Sequence, residues 1–194
     1  LYGNGQYTAD INFPEMYHLA FLRSEISHGE IISIDLKEAI KLENVFGVFL
    51  YDDFKYISPI ISKSNMKRYL ATKQNILCKK KIRYLGEPIA VVVAKNRYIA
   101  EDAVNLINIE TKELEPIIDT INASNESENF VHPTLKTNVI LERTFAQGDI
   151  KDINSNELVS IKKIFKMSRK TPLAMEPRSY VCDVNKRTNE LTLY

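Results

Sequence analysis

The chain has 194 residues, of which 44% are hydrophobic, and its 26 basic and 25 acidic residues nearly cancel. This length suits one large domain or one complete domain with part of another, and the balanced charge gives no overall field favouring nucleic acid or an anionic membrane. Two cysteines and three histidines are scattered without ligand spacing, so we expect no zinc or iron–sulfur site made by this chain alone.

We expect no targeting signal in the first residues of this sequence. LYGNGQY lacks a basic region followed by an apolar block, and no apolar run approaches the roughly 20 residues that span a bilayer. We therefore expect a cytoplasmic protein with no membrane span. The absence of an initiator Met and the strand-like ending NELTLY predict that both ends are cut from something larger.

The first regular elements form a strand–helix–strand unit. EIISID at 30–35 is short and β-branched, LKEAIKL at 36–42 has one apolar helical face, and NVFGVFLYDD at 44–53 returns as a strand. Asp35 and Glu38 are predicted to form a capping-box pair at the start of the helix.

A basic stretch follows at residues 63–83, with eight Lys or Arg and no acidic residue. One interpretation is a solvated loop and strand edge, because edge strands often carry Lys. The other is a contact surface for an acidic partner. We favour the first, since a nucleic-acid site would add interleaved aromatic residues and only Tyr69 and Tyr84 are nearby.

The stretch GEPIAVVVAKNRYIAEDA at 86–103 begins a second strand–helix–strand unit. Residues 89–94 are uniformly apolar, which predicts a strand buried on both faces. Asn96 opens an amphipathic helix, and INIETKELEPI resumes in extended form until Pro116. The helices are shorter than usual crossover helices, so the pattern favours an α+β fold over a Rossmann sheet.

This second unit has the outline of a nucleotide site but lacks its chemistry. A phosphate-binding turn needs closely spaced glycines at the start of a helix, and AKNRYIAEDA has none. Gly86 and Pro88 lie before the strand, where Gly is expected to supply an unusual φ and Pro to fix entry into the strand. A small nucleotide-binding protein is therefore disfavoured.

Residues 119–138 are polar and lack periodicity, which predicts a linker and a domain boundary. Beyond them we predict strands at 139–145 and 157–167, with a turn at Gly148-Asp149 between them. SYVCDV and ELTLY are predicted to form a hairpin around NKRTN at 185–189. This region is too short to bury a core of its own.

Candidate catalytic residues are few. Ser27 and His28 are adjacent, but neighbours on a strand face opposite sides, so we predict no triad and no catalytic, cofactor-binding or metal-binding residue. Glu176 and Arg178, in TPLAMEPRSY, would share one face of an extended segment. We favour a carboxylate that braces a loop through Arg178 or through backbone N–H groups, and keep these two residues as substrate-channel candidates.

Several segments taken together resemble one family. They are GNGQYTADINFPEMYHLAFLRSEISHGEIISID, KLENVFGVF, RYLGEPIAVVVAKNRYIAEDAVNLINIE, ELEPIID and PLAMEPRSYVCDVNKRTNELTLY. In this order they resemble the N-terminal part of the large, molybdenum-bearing subunit of the xanthine dehydrogenase, aldehyde oxidase and carbon monoxide dehydrogenase family. Arg23-Ser24 with His28, and Gly86-Glu87-Pro88, are the strongest local matches.

The resemblance implies an α/β-hammerhead domain at residues 1–118, a linker at 119–137 and the truncated start of a molybdenum-cofactor-binding domain at 138–194. It also implies that the full-length subunit binds molybdopterin cytosine dinucleotide with molybdenum through loops absent from this sequence, so no cofactor is expected in this fragment. Flavin and iron–sulfur subunits are the implied partners, in an oligomeric enzyme that binds no nucleic acid.

In such an enzyme an aldehyde, a heterocycle or carbon monoxide is hydroxylated with oxygen from water. The Met-Glu-Pro-Arg segment favours the aldehyde or carbon monoxide branches, and Glu176 matches the family's glutamate, although Thr171 replaces the usual preceding His. We expect this fragment to have a structural role and to be inactive alone. The alternative is a free-standing hammerhead-fold binding or assembly protein without catalytic activity.

Overall fold

The computed structural model describes residues 3–125, 128–148, 159, 161–168 and 170–194. The chain divides into two compact units. The larger is Glu15–Thr144, and the smaller combines Leu1–Pro14 with Phe145–Tyr194. No helix in the described ranges is both long enough and apolar enough to cross a membrane.

The larger unit contains eight strands and three short α-helices among its described residues. The strands are β1 (His18–Arg23), β2 (Gly29–Asp35), β3 (Val45–Phe49), β4 (Ile60–Ile61), β5 (Lys73–Gln74), β6 (Lys81–Ile82), β7 (Pro88–Ala94) and β8 (Asn108–Glu113). The helices are α1 (Lys37–Lys41), α2 (Arg97–Asn105) and α3 (Thr120–Asn125), with 3-10 turns at Tyr51–Phe54 and Pro133–Leu135.

The first sheet has the order β1-β7-β3, with both neighbours antiparallel to the central strand β7. Five of the seven residues of β7 are buried, which confirms the predicted buried strand. Burial on both faces is incomplete, because Val93 is only half-buried. Helices α1 and α2 cover one face of the sheet through small side chains, so that the backbones approach closely. The buried residues of this core are Ala39, Ala90, Val92, Ala94, Ala100, Ala103 and Ile107.

The second sheet has the antiparallel order β6-β2-β8. Ile31 and Ile82 are buried in this sheet, and they pack with Cys78, which precedes β6, and with Ile89 of β7. Ile89 therefore links the hydrophobic layers of the two sheets. Strands β4 and β5 pair separately as a two-residue ladder.

The predicted strand–helix–strand unit is present as β2, α1 and β3, but its two strands belong to different sheets. The predicted capping box is wrong. The helix begins one residue later than expected, so Leu36 is the N-cap and makes no side-chain cap. Asp35 Oδ1 instead accepts from the Lys37 N–H at 3.0 Å, and Glu38 pairs with Lys41 Nζ at 2.7 Å.

Helix α2 begins as predicted. Asn96 is its N-cap, and Asn96 Oδ1 accepts a hydrogen bond from the Ile99 N–H at 2.9 Å. Strand β8 confirms the extended stretch before Pro116. Gly86 has φ of +85°, which confirms the unusual backbone predicted for this glycine.

The polar segment 119–137 contains local structure that its sequence does not reveal. Asp119 Oδ1 accepts from the N–H groups of Ile121 and Asn122 and so opens α3. Farther along, Lys81 Nζ donates to the Phe130 carbonyl at 2.8 Å and ties this segment to β6. The division into domains at 119–137 stays a prediction.

The smaller unit contains the predicted hairpin, formed by β9 (Cys182–Asn185) and β10 (Glu190–Leu193). It also contains a 3-10 turn at Thr8–Asp10. The strands predicted at 139–145 and 157–167 are wrong over the described residues, which are irregular there. Asp149, Glu157, Leu158 and Ser160, which belong to these predictions, lie outside the described residues. A strand is stable only when paired, and alternating apolar residues do not supply a partner.

Candidate functional site

The two segments singled out as the strongest family matches meet in the structure. The Ser24 N–H donates to the Glu87 carbonyl at 2.9 Å, and the Gly86 N–H donates to the Ser24 carbonyl at 2.8 Å. Arg23 Nη1 donates to the Gly86 carbonyl at 3.0 Å. These three bonds fasten the end of β1 to the turn before β7, and we call this region the sheet junction.

A buried carboxylate fixes the other side of the sheet junction. The Glu87 side chain is 5% exposed; it accepts from the Arg83 N–H at 2.7 Å and from Arg83 Nη1 at 3.1 Å. Both carboxylate oxygens are engaged, so Glu87 is an ion-pair partner here and has no free oxygen aimed at a substrate. This pair was not predicted from the sequence. The pattern that could have indicated it is a glutamate, Glu87, four residues after Arg83 and directly before the buried strand β7.

Ser24 and His28 also serve the turn. Ser24 Oγ donates to the Ile26 carbonyl at 2.7 Å and accepts from the Ile26 N–H at 3.2 Å. His28 Nδ1 lies 2.7 Å from the Glu115 carbonyl, and since a carbonyl only accepts, Nδ1 carries the proton. No hydrogen bond in the described part of the chain joins His28 to Ser24 or Ser27.

Cys78 lies buried beside the sheet junction, with its Sγ 3.4 Å from the Lys81 carbonyl. Burial, with a smaller contribution from the Glu87 charge, raises the pKa of the Cys78 thiol to about 12. The thiolate is the nucleophilic and metal-binding form, so Cys78 acts as a packed apolar side chain. No three His, Cys, Asp or Glu side chains within the described ranges are grouped to hold a metal.

The larger unit has at least two clefts. One, of about 480 Å³, opens beside the sheet junction and is lined by aliphatic side chains, by the charged Arg23 and Glu25 and by neutral polar groups that include Ser24, Asn105 and Asn108. The other, of about 350 Å³, includes His132 in its wall. Burial, together with the charges of Arg83 and Lys81, lowers the pKa of His132, so the neutral imidazole is favoured there.

Glu176 and Arg178 belong to the smaller unit. Both side chains are exposed. In the part of the chain that the structure describes, no ion pair joins them, so the brace through Arg178 is not formed. Their assignment as substrate-channel residues stays a prediction.

The family model described as aldehyde oxidase and xanthine dehydrogenase, a/b hammerhead domain, matches residues 2–115. The matched range contains both sheets and the sheet junction.

Curated relatives extend the similarity beyond the hammerhead range. The nicotine 6-hydroxylase large subunit of Paenarthrobacter nicotinovorans is 29% identical over 100% of this chain and 24% of its own length. The carbon monoxide dehydrogenase large chain of Afipia carboxidovorans is 29% identical over 99% of this chain and 25% of its own. The chain thus spans about a quarter of the length of these relatives.

Solved structures show the same similarity. Quinoline 2-oxidoreductase from Pseudomonas putida 86 has a TM-score of 0.66 and 38% identity, covering 72% of this chain and 18% of that one. The aldehyde oxidoreductase from Desulfovibrio gigas has a TM-score of 0.61 and 27% identity, covering 66% of this chain and 15% of that one.

Proposed function

Because this chain belongs to the aldehyde oxidase and xanthine dehydrogenase family, whose hammerhead domain it carries, we propose that it is the N-terminal part of the large subunit of a molybdenum-dependent hydroxylase. The α+β hammerhead fold expected from the sequence is confirmed. The observation that carries the proposal is the similarity to two large subunits over essentially the whole chain, past the end of the hammerhead match.

The reaction class follows from the family. Its named members are oxidoreductases, and the names of some specify molybdenum or molybdopterin. We propose that the complete enzyme hydroxylates an aldehyde, a heterocycle or carbon monoxide with oxygen from water. The Met-Glu-Pro-Arg segment favours the aldehyde or carbon monoxide type, with Glu176 and Arg178 near the substrate channel.

Within that enzyme, the part described here has an architectural role. At the sheet junction the charged and polar groups bind one another: Glu87 binds Arg83, and Ser24 binds its own turn. These groups fix the turn between β6 and β7 to the end of β1, and neither Glu87 nor Ser24 is left free to act as an acid, a base or a nucleophile. We therefore propose that this chain alone is not catalytically competent.

The described residues do not fit a molybdopterin dinucleotide. Its phosphates would need a glycine-rich turn at an open helix N-terminus, whereas the start of α2 is closed by the Asn96 side chain. Gly86, with its left-handed backbone, precedes a strand and not a helix. Other segments of the subunit would hold this group.

Partner subunits are part of the proposal. Several relatives are named as large subunits or as one subunit of a dehydrogenase complex, which supports a multi-subunit enzyme. We propose flavin and iron–sulfur subunits as the partners, in a cytoplasmic oligomer.

The proposal is tested by measuring molybdenum content and dehydrogenase activity, first in the isolated chain and then in the complete subunit assembled with its partner subunits. We expect the purified 194-residue chain to contain no stoichiometric molybdenum and to show no dehydrogenase activity, and the complete subunit, co-expressed with flavin and iron–sulfur subunits, to show both. Stoichiometric molybdenum in the isolated chain would overturn the architectural role. Capture of those subunits by a chain that is complete at this length would favour the free-standing assembly protein.

A further inference from the structure

One side of the β1-β7-β3 sheet is covered by α1 and α2, and the opposite side carries exposed apolar residues. We call this side the apolar face. Its members are Tyr17, Leu19, Phe21, Phe46, Phe49 and Val93. Leu19 is 58% exposed and Phe46 is 56% exposed. The rings of Tyr17 and Phe46 meet edge to face with centroids 4.9 Å apart, so these two aromatic side chains are in contact.

The second sheet of the same unit differs. The outward side of β2 and β8 is polar, because Glu30 lies opposite Lys112 and Ser33 Oγ donates to Glu110 Oε2 at 3.1 Å. These polar and charged side chains on the outward side of β2 and β8 are readily solvated. Ile32 on β2 is an exception, being 53% exposed, so large exposed apolar side chains are more densely grouped on the first sheet than on the second.

The apolar face has the size of an interaction site. An aromatic side chain carries roughly 150–250 Å², so the exposed fractions correspond to several hundred Å² of apolar surface. The largest apolar patch on a soluble protein commonly has this size and is often functional.

We propose that the apolar face is the surface on which the remaining part of the large subunit packs. This inference rests on the proposed function. The chain spans about a quarter of the length of its large-subunit relatives, so most of such a polypeptide is outside the present sequence. Interfaces between domains of one chain bury about 600–1,500 Å² in total, which matches the area. A stable contact between separate proteins needs about 800 Å² from each partner, more than this face offers to a second copy.

The rim of the apolar face indicates what the packed surface must carry. The guanidinium of Arg23 lies 5.5 Å from the ring centroid of Phe21, and one of its nitrogens is bound to the Gly86 carbonyl. The covering surface is therefore apolar at its centre, with a carboxylate or carbonyl group opposite Arg23 to accept the remaining donors.

The experiment compares two variants that place the same charge on different sheets. Leu19→Glu lies on the apolar face, and Ile32→Glu changes an aliphatic side chain on β2 with a similar exposure of 53%. The tagged 194-residue chain is co-expressed with the remainder of the large subunit encoded in the source genome, and retention of the remainder is measured. Circular dichroism and the melting temperature of each isolated variant report folding, and Phe46→Ser replaces Leu19→Glu if the latter does not fold.

We expect the parent chain and Ile32→Glu to retain the remainder and Leu19→Glu to lose it by at least about tenfold, as for a central interface residue. Equal retention by all three would overturn this inference and leave the proposed function standing. The inference would also be overturned if the parent chain formed a dimer that Leu19→Glu dissociates. It would be overturned as well if Leu19→Glu weakened binding only of the flavin and iron–sulfur subunits. A genome encoding no such remainder would remove the proposed function, and this inference with it.

Discussion

At the scale of single residues, the ion pair between Arg83 and Glu87 has the largest expected energetic effect. The Glu87 side chain is 5% exposed and that of Arg83 is 22% exposed, so the pair is largely shielded from water. Removing one partner of a buried pair leaves the other charge without compensation. The sheet junction should therefore depend on both side chains together.

Glu87→Gln keeps the size of the side chain and removes its charge. We expect the free energy of unfolding to fall by about 3–5 kcal/mol, the usual cost of breaking a buried pair, measured by urea denaturation. Glu101→Gln is the control, because it breaks the exposed pair between Arg97 and Glu101, which has the same spacing and a distance of 2.7 Å. Equal effects from the two variants would show that burial of the Glu87 pair is unimportant.

His132 should give the larger unit a pH-dependent stability. Its pKa is lowered in the folded chain, first by burial and then by the charges of Arg83 and Lys81. When the pH falls below the ordinary value of 6.5, the unfolded chain binds a proton that the folded chain does not, so the stability falls. At higher pH, His132 is neutral in both the folded and the unfolded chain, and the free energy of unfolding no longer changes with its protonation.

The test compares the parent chain with His132→Asn by urea unfolding from pH 8 to pH 5. We expect the free energy of unfolding to decline less steeply with falling pH in the variant. The difference in the free energy of unfolding between the two proteins at pH 8 serves as the reference. At that pH the difference reports only the packing of the side chain, because His132 carries no extra proton. Parallel profiles would contradict the assignment.

At the scale of elements, β7 is the most strongly specified segment of the chain. Val92 is fully buried against the helices, whereas Val93 points to the apolar face and is half-buried. Successive residues of one strand thus experience different surroundings. This alternation allows the two faces to be tested with neighbouring, chemically identical side chains.

Val92→Thr exchanges a methyl group for a hydroxyl at nearly constant volume. We expect the free energy of unfolding to fall by about 1–3 kcal/mol, because the hydroxyl is buried without a partner. The same exchange at Val93 should cost no more than about 0.5 kcal/mol. Thermal or urea unfolding of both variants measures the difference, and full stability of Val92→Thr would refute the buried-strand assignment.

The elements that could be predicted are those with a strong local signal. The uninterrupted apolar run of β7 and the Asn96 cap of α2 both act within a few residues. Helix α3 escaped prediction because it buries no residue and therefore has no apolar periodicity. The segments 139–145 and 157–167 have a strand-like pattern, but pairing depends on a partner that the pattern does not contain.

Which strands become neighbours was likewise beyond local inference. Ser24 meets Glu87 across more than sixty residues of sequence, and the ion pair of Glu87 with Arg83 depends on that meeting for its burial. The family resemblance identified both segments, whereas the residue chemistry alone identified only the turn at Gly86 and Pro88. The candidate role of Glu176 came from the resemblance too, and it stays a prediction.

At the scale of the whole molecule, the larger unit contains both sheets and all three α-helices of the described residues. Its two hydrophobic clusters lie entirely within residues 15–144. By contrast, the apolar side chains of the described part of 159–175 are largely exposed, including Val159, Phe165 and Met175.

A chain cut to residues 15–144 should therefore fold by itself. We expect one cooperative thermal transition within a few degrees of that of the 194-residue chain, because the core residues are all retained. Circular dichroism melting and dispersed amide proton resonances would measure this. A broad, non-cooperative melt would show that residues outside 15–144 are needed for the core.

The strand order has a consequence for synthesis on the ribosome. Strand β7 lies between β1 and β3, so both outer strands are translated long before the strand that joins them. Strand β2 is likewise translated long before β8, with which it pairs. At about 5–20 residues per second, Leu19 and Phe21 spend several seconds on a nascent chain without their central strand. The two sheets of the larger unit can therefore be completed only after residue 113 has left the exit tunnel. Until then, the early strands need protection from other nascent chains.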